Sequence, residues 1–179
     1  MRLDKMTTKA QEALQAAQEL AEQRNHQELT PEHVLSALLV QEQGIVGSLL
    51  RKMGLAPEGV AAGVARALDE QPQVKGAAAE VYVGRRLKDL LAEAQKRSQD
   101  FKDEYVLSEH LSLALLVGNH GPATRAPKVV GVKDSALLSA LAELPGSIRA
   151  TDPEAHGMPE APRNDTPDLP DAAPRPELP

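Results

Sequence analysis

The chain has 179 residues, with 20 Lys and Arg against 26 Asp and Glu for a net charge of -6, no Cys, no Trp, one Phe and two Tyr. Without Cys there are no disulfides, thiolate zinc sites or cysteine nucleophiles, and an acidic balance argues against a protein that gains its affinity by neutralising phosphates, so nucleic acid is not an expected partner. A core so poor in aromatics has to be built from Leu, Val and Ala, which favours closely packed helices over a sandwich or barrel.

The opening Met1 to Met6 lacks the apolar centre of a signal peptide, and no apolar run approaches the roughly 20 residues that cross a bilayer. A cytoplasmic chain with no membrane partner is the expectation. Thr7 or Thr8 can cap a first helix in which Ala10, Ala13, Leu14, Ala17, Leu20 and Ala21 recur at three-and-four spacing, and Thr8 with Gln11 fits a capping box. The second helix has the clearest start: Thr30 as cap, Pro31 at the first helical position, and Glu32 in the first turn, where a negative charge suits the dipole. Ile45, Val46, Leu49 and Leu50 mark a short third helix stopped by Gly54, and Pro57 opens a fourth through Val60, Val64 and Leu68. Pro72, Gly76 and three consecutive Ala make 71–79 an internal linker.

Sliding the sequence against itself then gives one ungapped register at an offset of 77 residues. Glu32-His33 falls on Glu109-His110, Ala37 to Val40 on Ala114 to Val117, Gly44 on Gly121, and Gly54 on Gly131. Leu14, Ala17 and Gln18 likewise fall on Leu91, Ala94 and Gln95. With two copies, the expected architecture is all-α: a duplicated four-helix unit of about eight helices with pseudo-two-fold symmetry, repeat 1 over about 1–70 and repeat 2 over about 80–145. The second copy runs through Leu87, Leu90, Leu91 and Ala94, then Leu111 to Val117, then Leu137 to Leu144. Pro127 stands where the first copy has Leu50 and is expected to shorten or break the seventh helix, at a cost of about 3 kcal/mol or more. From Pro145 onward lie nine of the fourteen prolines, so 146–179 is expected to be a disordered tail.

Catalytic signatures do not assemble. A phosphate-binding loop needs Gly, four residues, Gly, Lys and Ser or Thr. The stretch Gly121 to Lys128 has prolines at 122 and 127 and no glycine before the lysine. Ser36, Ser48, Ser108 and Ser135 lie in no nucleophile elbow, and His33 and His110 lack the His-Glu-x-x-His pairing of a zinc site, so a structural role is expected for both. No enzyme activity, metal or cofactor is expected. Glu32 and Glu109 each read either as helix-start electrostatics or as binding carboxylates. Arg85, Arg86 and Lys88 read as a solvated basic face.

Leu29-Thr30-Pro31-Glu32-His33 in one half and Tyr105 to His110 in the other resemble the Clp N-terminal, or Clp repeat, domain of ring-forming unfoldases and disaggregases. Met1 to Thr7, Asp103 to Val106 and Thr151-Asp152-Pro153 resemble its ClpB-type disaggregase branch. The resemblance covers about 1–145 and implies a peptide- or adaptor-binding accessory domain that recruits unfolded or aggregated protein to an AAA+ ATPase ring. The alternative it leaves is a free-standing regulator that binds such an ATPase or its adaptors. Carried over by position, the binding face falls on Thr7, Asp103 and Glu109, and recognition of phosphoarginine falls on Glu32 and Glu109. Leu107, where a small hydroxyl residue is usual, and Pro127 depart from the family pattern.

Overall fold

The structure, a computed structural model, describes residues 3–41, 44–76, 80–102, 105–106 and 108–117. After a 3-10 turn at Leu3–Lys5, α1 (Thr8–Gln23) starts behind Thr7, whose Oγ1 accepts from the Ala10 N–H at 3.4 Å. This cap lies one residue before Thr8, the residue expected to open a capping box with Gln11, and Gln11 Nε2 donates to the Met6 carbonyl at 3.0 Å. α2 (Pro31–Val40) begins after Thr30 as its proline requires. Here His33 Nδ1 accepts the Thr30 N–H at 3.0 Å, the part that Glu or Gln takes in a capping box. α3 (Val46–Lys52) ends before Gly54, whose φ of 75° is a left-handed conformation that glycine adopts without penalty. α4 (Pro57–Asp69) buries Val60, Val64 and Leu68 at the expected spacing.

Residues 71–76, read as linker, are fastened to the first repeat: Gln71 Nε2 donates to the Glu28 carbonyl at 2.8 Å and the Val74 N–H to the Asn25 carbonyl at 2.9 Å. Beyond them come α5 (Arg85–Asp100) and α6 (Ser108–Val117). The fold is all-α, with six α-helices among the described residues. The expected break at Pro127, the eighth helix through Leu144, Asp103, Leu107 and the tail from 146 lie outside them.

At the 77-residue register α1 maps onto α5 and α2 onto α6, end for end. Asn25 and Lys102, which correspond, both turn the chain at positive φ, 57° and 58°. Two short strands, unexpected from sequence, tie the repeats together. β1 (Glu28–Leu29) pairs in parallel with β2 (Tyr82–Val83), Leu29 opposite Val83. Met6 bridges Val106 in parallel, and the register converts this bridge into the other. Thr7 N–H donates to the Val106 carbonyl at 3.1 Å, and Gly84 N–H to the Leu29 carbonyl at 2.9 Å. Each repeat thus lends the segment before its first helix to the segment before the other repeat's second helix.

Those bridges set α2 and α6 in the middle. Val34, Leu35 and Leu38 of α2 and Leu111, Leu113, Ala114 and Leu115 of α6 are buried, and the two helices pack on one another. α1 covers α2 through Ala10, Ala13, Ala17 and Ala21. α5 covers α6 through the matching Leu87, Leu90, Ala94 and Ser98, so the same stripe is wider on the second repeat. Burial of these apolar faces contributes about 25 cal/mol per Å² removed from water.

Candidate functional site

Helices that pack inward through one stripe leave the neighbouring stripe free, and α1 and α5 leave theirs toward each other. Between them lies a groove of about 720 Å³. Gln11, Leu14, Gln15 and Gln18 of α1 form one wall, and Lys88, Leu91, Ala92 and Gln95 of α5 the other, with Met6, Leu29, Val83 and Leu87 completing it. Met6 and Leu87 are buried beneath, whereas Val83 is 40% exposed although apolar. Gln15 and Gln18 turn their amide nitrogens to Glu19 and Glu22, at 3.3 and 3.1 Å. The result is an apolar trough edged by amides, the surface chemistry that holds an extended or helical apolar segment with little demand on its sequence.

The expected site residues are distributed differently. Leu14 and Leu91, which the 77-residue register matches, line the groove. Thr7 is fully buried, one residue beyond Met6, occupied with the α1 cap and the Val106 bridge. That bridge brings the start of α1 within two residues of the start of α6, so helix starts from different repeats do meet. Glu109 is 8% exposed in the first turn of α6 and accepts from Ser108 Oγ at 3.2 Å. Glu32 is buried as well, and it reaches across the repeats: Arg86 Nη1 donates to its Oε1 at 2.7 Å and Nη2 to its Oε2 at 3.1 Å. Arg86 therefore belongs to a bidentate ion pair, not to the solvated basic face expected of it; sequence reasoning missed this because partners 54 residues apart carry no spacing signal.

Beside this pair sits a histidine chain. Since His33 Nδ1 accepts from Thr30 N, the neutral ring carries its proton on Nε2 and donates to His26 Nδ1 at 2.9 Å. His26 then holds its own proton on Nε2, which is buried with no hydrogen-bond partner among the described residues. Burial, followed by the neighbouring His26, pushes His33 down to about 4. His26 is also lowered, first by burial and then by Arg24, with Asp69 opposing. Both imidazoles are neutral at pH 7 and act as structural links between the end of α1 and the start of α2. His110, the mate of His33, stacks on Phe101 with ring centroids 5.7 Å apart. Among the described residues no group of three or more His, Asp or Glu converges as a metal would need, and no helix is long and apolar enough to cross a membrane.

Residues 5–129 match the family model of the Clp repeat N-terminal domain. The chaperone protein ClpB of Nitratidesulfovibrio vulgaris is 37% identical over 158 residues, which cover 84% of this chain and 18% of that protein; the chain thus spans under a fifth of that relative's length. The crystal structure of the Hsp104 N-terminal domain from Candida albicans superposes with a TM-score of 0.70 at 26% identity, covering 84% of this chain and 97% of that one. The N-terminal domain of the ClpV1 ATPase from E. coli follows with a TM-score of 0.65 at 26% identity, covering 76% of this chain and 83% of that one.

Proposed function

The chain belongs to the Clp repeat N-terminal domain family, and on that premise we propose that it is a polypeptide-binding module that recruits unfolded or aggregated protein, or an adaptor carrying it, to a Clp-type AAA+ ATPase ring in the cytoplasm. The observation that carries the reading is the groove between α1 and α5, where Leu14 and Leu91 face a common space and amide side chains edge it. Two opposed leucines bury apolar side chains of a guest from either wall, and a lining with Lys88 as its one charged residue keeps the binding broad and weak. Such a surface suits a client that exposes many different apolar stretches. The reading assigns the chain no catalysis of its own. The family likenesses support it because each is to the N-terminal part of a chaperone or ATPase.

In the same proposal Glu32 and Glu109 are acceptors for a guanidinium, as in phosphoarginine recognition, and Thr7 and Asp103 are carried over with Glu109 as positions of the family's binding face. Glu32 already holds the Arg86 guanidinium. A ligand guanidinium must displace that pair, so this mode is expected to be weaker than binding along the groove. The test is titration of the 15N-labelled chain with a casein-like unfolded protein. Shifts should cluster at Leu14, Leu91 and their neighbours, and Leu14→Ala with Leu91→Ala should weaken binding about tenfold, the loss of roughly 1.4 kcal/mol of apolar contact. Undiminished affinity in the double variant, with helicity intact, would show that the groove is not the site.

A further inference from the structure

Ten of the twelve groove residues form five pairs related by the duplication. Met6 corresponds to Val83, Gln11 to Lys88, Leu14 to Leu91, Gln15 to Ala92 and Gln18 to Gln95. The backbones that carry them are equivalent: Thr7 and Gly84, which precede the two wall helices, have φ and ψ of -66° and 158° and of -66° and 157°. The two parallel bridges are likewise exchanged by the same register. The pseudo-two-fold axis therefore passes through the groove. Half a turn about it swaps the walls and reverses the chain direction of any segment lying across the axis.

For an uncharged apolar segment that reversal changes little. Leu14 trades places with Leu91, Gln18 with Gln95, and Met6 with Val83, apolar for apolar and amide for amide, while Gln15 and Ala92 exchange an uncharged amide for a methyl. The exchange of Gln11 with Lys88 does change something. Lys88 is the one charged residue among those lining the groove; it is exposed, and no carboxylate of the described residues pairs with it. A carboxylate on one flank of the guest meets an ammonium in one direction and an amide in the other.

We propose that the groove accepts an apolar peptide segment in both chain directions, and that Lys88 selects one direction when the segment carries acidic residues on a single flank. The proposal rests on the groove being the peptide site, and it names the guest: an apolar stretch bordered by Asp or Glu. Because Lys88 stands in solvent, its contribution is that of an exposed ion pair, a preference of about two- to fivefold that salt screens. It sets orientation more than affinity.

The experiment uses a short capped apolar peptide and its counterpart with two Asp at the N-terminal flank, each carrying a nitroxide on that flank. Line broadening is read in the 15N spectrum of the full chain. The neutral peptide should broaden amides around Gln11 and around Lys88 to similar extents, and the acidic one should favour the Lys88 side about two- to fivefold. Lys88→Gln should abolish that bias and weaken the acidic peptide about 1.5- to 3-fold, because the disfavoured direction remains open to it, and should affect the neutral peptide less. Lys88→Glu should turn the acidic flank toward Gln11. Broadening of one flank alone by the neutral peptide, or a bias that survives Lys88→Gln, would overturn the two-direction reading while leaving the groove as the binding site. Binding of both peptides with no effect on any groove amide would overturn the groove itself, and this proposal with it.

Discussion

Replacing His33 by Gln isolates the histidine chain at the start of α2. The folded-state value of about 4, set against 6.5 for an unperturbed histidine, means that the unfolded chain takes up a proton as pH falls through 6.5 while the folded chain does not. Stability is therefore full above about pH 6.5 and declines as pH falls toward 4. One pKa unit is about 1.36 kcal/mol, so the 1.5 units between pH 6.5 and pH 5 correspond to about 2 kcal/mol from this group. Glu32 opposes the shift and Arg24 adds to it, so both must be kept in the variant. Gln at position 33 suits the comparison because its amide oxygen can accept the Thr30 N–H as a capping-box residue does, yet it does not titrate. Urea unfolding at pH 7 and pH 5 should show the parent losing about 1 M in midpoint beyond whatever His33→Gln loses, for an m-value near 2 kcal/mol per M. Equal losses in the two proteins would refute the reasoning, since the proton would then be entering elsewhere.

Arg86→Ala leaves the Glu32 carboxylate buried without its bidentate partner and is expected to cost about 1–3 kcal/mol, measured by denaturant unfolding; adding Glu32→Gln should recover much of that loss, because the amide carries no charge to desolvate. Leu90→Ala, at a fully buried position of α5, should cost about 2–5 kcal/mol in the same assay, more than Leu91→Ala on the half-buried groove face next to it.

How far the fold was legible follows from the length over which each signal repeats. α1 and α5 declare themselves over four turns, through the Ala and Leu stripes that turn out to be buried. α2 and α4 are announced by Pro31 and Pro57 at the first helical position, and α3 is ended by Gly54. Two-residue strands have no period at all, so Leu29 opposite Val83 and Met6 opposite Val106 stayed invisible even though the register that relates them was in view. Two groove wall residues per repeat, Leu14 with Gln18 and Leu91 with Gln95, were visible as matched positions because they recur in both copies. Met6 and Leu29 reach the groove only through the bridges. His26 was overlooked for a related reason: seven residues from His33 and outside either helix, it acquires its meaning from a ring-to-ring hydrogen bond. The polarity of Glu32 was plain, but its burial against Arg86 depends on how the repeats dock.

The exchanged bridges also govern the order in which this chain can finish folding. The segment at Met6 has its bridge partner at Val106, so that edge stays open from its own synthesis until the hundredth residue after it has been made. At roughly 5–20 residues per second the gap lasts on the order of 5–20 s. Helices α1 to α4 can form locally within microseconds, yet they wait, incomplete at Met6 and at β1, for the second copy. Closing a loop of that length adds an entropic cost that a tandem of self-contained repeats would avoid. A truncation that stops before Val106 is thus a different object from a smaller version of the same protein: it presents an unpaired strand edge, the feature through which nascent chains find the wrong partner.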